Sequence, residues 1–295
     1  MHTIGRFAPS PTGPLHFGSL VAAVASWLDA RAAGGEWHLR IEDVDTTRTV
    51  PGAEATILRQ LESLGLTWDG PIVRQSERSA RYDEALQRLS RAGLIYRCRC
   101  SRKEVADSAL RGIDGVVYPG TCRDANVPDQ EAAAIRFCVS PGVVAVRDRS
   151  QGDIAQDLAR DLGDFVVKRR DGLHAYQLAV VVDDDDLGVT DVVRGADLLD
   201  STPRQAALQR ALGLPTPRYL HVPVATRNGE KLSKQTLAPA IEASRAMEAL
   251  RNALVFLGQE PSAGGTVRAL LCDAAARWDP NRIPRHRAME APPAP

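Results

Sequence analysis

Positive and negative charge cancel in this chain, since Lys+Arg and Asp+Glu both number 37 in 295 residues. Without net charge there is no global field to draw in a polyanion, so a nucleic-acid partner must be held by local patches. Two Arg-rich stretches qualify: Arg97, Arg99, Arg102 and Lys103, and further on Arg277, Arg282, Arg285 and Arg287. Each also reads as ordinary solvated surface. Long apolar runs are missing too: residues 178–182 are cut off at once by Asp183 to Asp186, far short of the roughly 20 residues a membrane span needs. A basic leader followed by an apolar run is lacking, and polar loop chemistry begins by Pro9, so a cytoplasmic location is expected. Cysteines are few, odd in number and unevenly spaced. That pattern does not suit a secreted disulfide framework and turns attention to metal binding. No internal repeat is present.

What is present begins with the stretch from Arg6 to Ser19, RFAPSPTGPLHFGS. Pro9 and Pro11 hold the backbone extended, Gly13 and Pro14 turn it, and the apolar run from Leu15 opens a helix. The free N–H groups of such a helix start point back into the loop and suit a phosphate. His16 adds a donor one turn from that end, and Gly18 leaves room for a base or ribose to press on the backbone. Far downstream, Gly229-Glu230-Lys231-Leu232-Ser233-Lys234-Gln235 sets two lysines around a serine, a cationic arm suited to a polyphosphate.

Taken in order, residues 4–8 read as a strand, 16–33 as a helix with Leu20, Val24, Trp27 and Leu28 on one face, and 36–41 as a second strand. Glu42, Asp43 and Asp45 follow that strand, where open α/β sheets place their ligands. A helix over 53–64, with Ile57, Leu58, Leu61 and Leu64 at core spacing, completes a βαβα start that predicts a parallel sheet. Another helix spans 79–92. Residues 101–130 are polar and aperiodic, which suggests an insertion, and short strands follow over 134–139, 143–147 and 164–169. Residues 175–182 fit strand or helix equally. A strand over 189–193 delivers Arg194, and then Thr202 as N-cap, Pro203 at the first position and Gln205 closing a capping box predict a helix. A strand over 219–225, helices over 247–257 and 267–278, and a disordered Pro-rich end over 291–295 complete the reading.

Cys98 and Cys100, followed by Tyr118 and Cys122, place three thiols within a short insertion, one ligand short of a closed tetrahedral site. Spacing does not identify the fourth, and Cys138 is a candidate from the residues alone. Cys138 and Cys272, each in apolar company, are otherwise assigned to the core.

The order RFAPSPTG, HFGS, RIEDVD, AYQLAVVVDD, VVRGADLLDSTPRQ and KLSKQ resembles the catalytic region of class I aminoacyl-tRNA synthetases of the glutamate branch over nearly the whole chain. PSPTGPLHFGS resembles the HIGH signature and KLSKQ the KMSKS signature. The second histidine of HIGH is Ser19 here, and Gln235 ends the lysine motif where a basic residue or Ser is commoner. Only some sixty residues follow the lysine loop, and that shortening, with KLSKQ and the cysteines, most resembles the family that attaches glutamate to queuosine of tRNA(Asp).

The resemblance implies an α/β fold: a Rossmann-type parallel sheet in two parts (residues 1–96 and 175–235), a zinc-containing insertion (97–174) and a C-terminal helical segment with a disordered tail (236–295). It further implies that Arg6, Ala8, Ser10, Glu42, Tyr176 and Arg194 bind L-glutamate, with Glu42 receiving the ammonium and Arg194 a carboxylate. Gly18, Lys231 and Ser233 would contact ATP, carried with Mg2+, and His16 and Lys234 would stabilise charge as the adenylate forms. Tyr118 is implied as the fourth zinc ligand beside Cys98, Cys100 and Cys122, and tRNA(Asp) bearing queuosine as the acceptor. Two other expectations remain: a shortened glutamyl-tRNA synthetase that charges the 3′ end, and a non-catalytic tRNA-binding module.

Overall fold

A computed structural model describes residues 2–107, 111–112, 115–232 and 239–292. Strand β1 (Ile4–Phe7) pairs in parallel with β2 (Glu36–Ile41), which pairs in parallel with β3 (Val73–Arg74). A second parallel ladder joins Asp191–Gly195 to Arg218–Val222. The two ladders meet at β1, where the Thr190 amide donates to the Ile4 carbonyl and the Ile4 amide to the Thr190 hydroxyl, each at 2.9 Å. The expected parallel sheet is therefore present, and β1 sits at its centre. Helix α1 (Phe17–Ala32) crosses over it and buries Leu20, Val24, Trp27 and Leu28 as the spacing predicts. With α2 (Ala53–Ser63) and the helices Ala246–Phe256 and Val267–Ala276, it encloses the larger core.

Residues 175–182, ambiguous between strand and helix by period, form the helix Tyr176–Asp186. Periodicity is silent because the helix is buried all round, from Leu178 through Asp184, in a second core with α3 (Ser79–Arg91) and Phe137 and Phe165. That core also backs a three-stranded sheet in which β4 (Ile95–Cys98) pairs antiparallel with Ala134–Phe137, and Ala134–Phe137 with Phe165–Lys168.

Four local expectations are corrected. The helix Thr202–Leu212 has no side-chain cap: its N-cap is Ser201, and both Thr202 and Gln205 turn their side chains to Arg194 instead. The strand over 219–225 is two strands, Arg218–Val222 and Val224–Arg227, divided at Pro223, whose ring removes a ladder donor. Ala291 is buried and its amide donates to the Thr226 carbonyl, so order extends into the Pro-rich end; residues 293–295 lie outside the described residues. Cys272 is exposed on Val267–Ala276 and Cys138 only half-buried, so neither belongs to the core. The strand Gly152–Asp157, which forms a hairpin with Val143–Asp148, carries no signal in the sequence because its polar residues show no alternation.

Candidate active site and metal centre

A cleft of about 840 Å3 opens at the carboxyl ends of the parallel strands, where open α/β sheets bind ligands. Its lining draws in Arg6 on β1, Ala8 and Ser10 after it, His16 and Gly18 at the start of α1, Glu42 after β2, Tyr176, Arg194, and Lys231. All the glutamate-site candidates and the described ATP-site candidates therefore border one space. Ser233, Lys234 and Gln235 lie outside the described residues.

The loop between β1 and α1 makes one turn of its own, the Thr12 amide donating to the Ser10 carbonyl at 2.9 Å, and is tied down by its neighbours. The Glu42 amide donates to the Pro9 carbonyl at 3.0 Å and the Val50 amide to the Pro11 carbonyl at 2.9 Å. Gln60 of α2 accepts from the Leu15 amide at 2.7 Å and donates to the Ile241 carbonyl at 2.8 Å, so one buried amide ties the loop to the C-terminal segment. His16 is the N-cap of α1 rather than a residue one turn away from it. Its Nδ1 accepts from the Ser19 amide at 3.4 Å, while its own amide donates to the Ser19 hydroxyl at 2.9 Å, a capping box. Acceptance at Nδ1 assigns the ring proton to Nε2. Ser19, the departure from the HIGH pattern, thus orients the histidine that remains. A Cβ at Gly18 would lie 3.1 Å from His16 Cε1 and 3.3 Å from Nδ1, so glycine leaves the capping ring its room.

Beneath the cleft lies a buried ion network. Arg6 donates from Nε at 3.1 Å and Nη2 at 3.4 Å to the two carboxylate oxygens of Asp184, and Arg40 donates from Nη1 to Asp184 at 2.5 Å and from Nη2 to Glu42 at 3.2 Å. Burial works against the Asp184 charge, yet Arg6 and Arg40 hold its carboxyl below the ordinary range. Burial prevails at Glu42, whose carboxyl is pushed up despite Arg40 and Arg6. A carboxylate taken largely out of water in this way suits an incoming ammonium.

Arg194 differs from its neighbours in that every partner it has is neutral. Nε donates to His221 Nε2 at 3.0 Å, Nη1 to Gln205 Oε1 at 2.8 Å, and Nη2 to the Thr202 hydroxyl at 2.9 Å and the Leu198 carbonyl at 3.4 Å. At 5% exposure it is a buried cation without a carboxylate partner among the described residues. Lys231 sits across the cleft with its Nζ 2.6 Å from Asp197. It is placed by a hairpin turning at Asn228 and Gly229, both at positive φ as a tight two-residue turn requires.

Sequence reasoning missed Arg40, Gln60, Asp184, Gln205 and His221. A signal for Asp184 exists, since acids ending an apolar run are either exposed or paired. Arg40 carries no such signal, because it falls in the polar half of the alternating strand EWHLRI.

At the far end of β4, Cys98, Cys100 and Cys122 bring their sulfurs within 4.8 Å of one another, Cys100 and Cys122 at 3.4 Å. Four ligands around an ion with bonds of about 2.3 Å stand roughly 3.8 Å apart, so these residues can hold a metal ion. The Tyr118 oxygen lies 3.3 Å from Cys98 Sγ and 3.7 Å from Cys100 Sγ, and accepts the Cys122 amide at 2.9 Å. Tyr118 is carried there by a bridge to Gly163, where a Cβ would strike the Tyr118 carbonyl at 2.3 Å. Cys138 stands outside the group, its thiol pushed up by burial and by Asp164. Both Arg-rich stretches are largely balanced locally: Arg97 and Arg99 by Asp129 and Glu131, and Arg277, Arg282 and Arg287 by Asp273, Glu260 and Asp200.

A parallel sheet with a HIGH-like helix start, a lysine hairpin and a cleft between them defines a class I synthetase catalytic body, and the chain belongs to that family, described as tRNA synthetases class I (E and Q), catalytic domain, which matches residues 3–262. Within the family it is 56% identical to the "Glutamyl-Q tRNA(Asp) synthetase" of Bordetella bronchiseptica, over 98% of this chain and 93% of that one. It is also 56% identical to the protein of the same name from Chromobacterium violaceum, over 95% of each. Among solved structures it is similar to the glutamate-tRNA synthetase of Elizabethkingia anophelis, with a TM-score of 0.81 and 26% identity over 99% of this chain and 68% of that one. None of the described helices is long and apolar enough to cross a membrane.

Proposed function

We propose that this chain activates L-glutamate with ATP and transfers the glutamyl group to queuosine in the anticodon loop of tRNA(Asp). The observation that carries the reading is the 56% identity to proteins named for that activity across nearly the full length of both partners. The cleft supports it chemically. Glutamate needs cations for its carboxylates and an acceptor for its ammonium: Arg194 is the buried cation without a counter-charge, Glu42 the acceptor, and Arg6, Ala8, Ser10 and Tyr176 complete the walls.

In the first step a carboxylate oxygen of glutamate attacks the α-phosphorus of ATP, and pyrophosphate leaves with Mg2+. In the second a queuosine hydroxyl attacks the glutamyl carbonyl carbon and AMP leaves. No side-chain nucleophile is needed. The work of the protein is alignment and cations placed where charge develops, the task assigned to the Nε2–H of His16 and to Lys234, with Gly18, Lys231 and Ser233 holding the nucleotide. The metal group is read as a structural zinc site formed by Cys98, Cys100, Cys122 and Tyr118. Zinc there would supply binding energy to a segment whose buried cluster, among the described residues, is small: Cys98, Tyr118, Cys122 and Val127. Arg102 and Lys103, exposed on that segment, suit RNA phosphates.

The test is to incubate the protein with labelled glutamate, ATP and three RNAs: an anticodon stem-loop carrying queuosine, tRNA(Asp) made without queuosine, and tRNA(Glu). Label in the stem-loop alone is expected. Label at the 3′ end of tRNA(Glu), with none in the stem-loop, overturns the reading in favour of a shortened glutamyl-tRNA synthetase, and no glutamate-driven exchange of pyrophosphate into ATP leaves a binding module.

A further inference from the structure

Arg194 is the last of a chain of three groups that begins outside the cleft. Asp148 ends the strand Val143–Asp148, and its Oδ1 accepts the backbone amides of Ser150 at 2.9 Å and Gln151 at 2.7 Å. Its Oδ2 faces His221 Nδ1 at 2.6 Å, and the opposite ring nitrogen, Nε2, faces Arg194 Nε at 3.0 Å. His221 and Asp148 are both buried, at 0% and 3% exposure. An arginine Nε can only donate, so His221 Nε2 must accept and its single ring proton must sit on Nδ1. A carboxylate is the partner that demands that tautomer, because it has no proton of its own to offer.

We propose that Asp148 and His221 are positioning residues for amino-acid selection: by fixing the imidazole tautomer they aim the Arg194 guanidinium at the substrate carboxylate while leaving its charge uncancelled. The alternative design is visible next door, where Arg6 is held directly by a carboxylate and its charge is spent inside the protein. Interposing a neutral imidazole gives Arg194 the same orientation without the counter-charge. Of its five N–H groups, four meet the acceptors His221, Gln205, Thr202 and Leu198, and one remains on Nη1, on a side chain that lines the cleft. A buried cation with only neutral partners is costly in the empty protein, and a carboxylate ligand relieves that cost. This inference rests on Arg194 as the partner of a glutamate carboxylate.

The near-isosteric variant D148N separates tautomer from packing. The backbone amides of Ser150 and Gln151 keep the oxygen at the Oδ1 position, and that of His221, which faces Oδ1 at 3.3 Å and Oδ2 at 3.1 Å, keeps one of its two acceptors, so the new NH2 group is turned toward His221 Nδ1. The ring proton is then driven to Nε2, where it opposes the Nε–H of Arg194. Glutamate-dependent ATP/pyrophosphate exchange should show the KM for glutamate raised at least about tenfold, with the KM for ATP within about twofold of the wild type. A second pair keeps Asp148 intact: H221L removes the acceptor and should raise the glutamate KM to a similar degree, whereas H221Q, whose Oε1 can face Arg194, should recover most of that loss. An unchanged glutamate KM in D148N, equal losses for glutamate and ATP, or H221Q no better than H221L overturns the proposal. If D148N does not fold, the comparison of H221L with H221Q decides alone. Absence of glutamate-driven exchange in the wild type would instead defeat the functional reading itself, so the two failures are distinguishable.

Discussion

Arg6 and Asp184 form a buried two-point ion pair, Nε to Oδ1 at 3.1 Å and Nη2 to Oδ2 at 3.4 Å, so Arg6 borders the cleft already neutralised. Arg194 on the neighbouring strand is not. The two arginines should therefore fail differently. Arg194→Ala is expected to raise the glutamate KM by about 10- to 100-fold, the worth of one or two charge-assisted bonds, with the melting temperature little changed. Arg6→Ala leaves Asp184 with Arg40 as its one remaining cation and is expected to cost about 3 kcal/mol of stability, near the low end for breaking a buried pair. Thermal unfolding beside exchange kinetics checks both, and equal stability losses in the two variants would contradict the distinction.

The same pair shows where the sequence is legible. Strand, loop and helix at the start and the carboxylates after β2 follow from local patterns of proline, glycine and period, whereas the lysine segment reads only as a cationic arm and proves to be a hairpin. The partner of Arg6 lies 178 residues away on a helix buried all round, and no local pattern encodes such a pairing. Thr202 and Gln205 mark the opposite failure. Their spacing satisfies a capping box, but a buried guanidinium needs the same two oxygens, and tertiary demand for hydrogen bonds outweighs the cap. Ser19 reads in the sequence as a lost histidine and proves in the fold to be the residue that orients His16.

Gly18→Ala offers a separation of stability from activity. Alanine in a first helical turn is favoured over glycine by up to about 1 kcal/mol, so the variant should melt no lower than the parent. Its methyl group, however, would sit 3.1 Å from His16 Cε1 and 3.3 Å from Nδ1, so the ring must shift from its capping position. Glutamate-dependent exchange is expected to fall about tenfold or more through kcat, as for a displaced transition-state donor. Parent-like exchange would remove His16 from the proposed role.

The metal centre makes a claim about identity and count. Metal analysis should find one zinc per chain in the parent and none after Cys98→Ser with Cys100→Ser, together with loss of order around Cys98, Tyr118 and Cys122. Cys138→Ser should keep its zinc, since Cys138 lies outside the thiol group. Tyr118→Phe keeps the three sulfurs and the ring over which Arg136 stacks at 3.7 Å, and removes only the oxygen. It should retain zinc but release it to a chelator at least about tenfold faster, as a site held by three protein ligands would. Parent-like release would assign the fourth position to another group.

His221 also gives stability a pH signature. Burial, with Arg194 adding to it, pulls the His221 pKa down to about 4 from the ordinary 6.5, against the opposing pull of Asp148. In the unfolded chain the imidazole takes a proton near pH 6.5, while in the fold it stays neutral to about pH 4. Between those values the unfolded state binds more protons, so stability is fully present above about pH 6.5 and is lost progressively as pH falls toward 4. The full loss is roughly 3 kcal/mol at about 1.4 kcal/mol for each unit of separation. Asp148, whose carboxyl is held below the ordinary range although burial opposes it, adds a loss only at lower pH, so the two contributions occupy different windows. The measurement is urea unfolding of parent and His221→Gln at pH 7.5, 6, 5 and 4.5. The difference between their stabilities should shrink in favour of the variant by about 2 kcal/mol or more across that range, because glutamine has no proton to gain. Parallel pH curves for the two proteins would show that His221 is not held neutral, and with it would go the acceptor that aims Arg194.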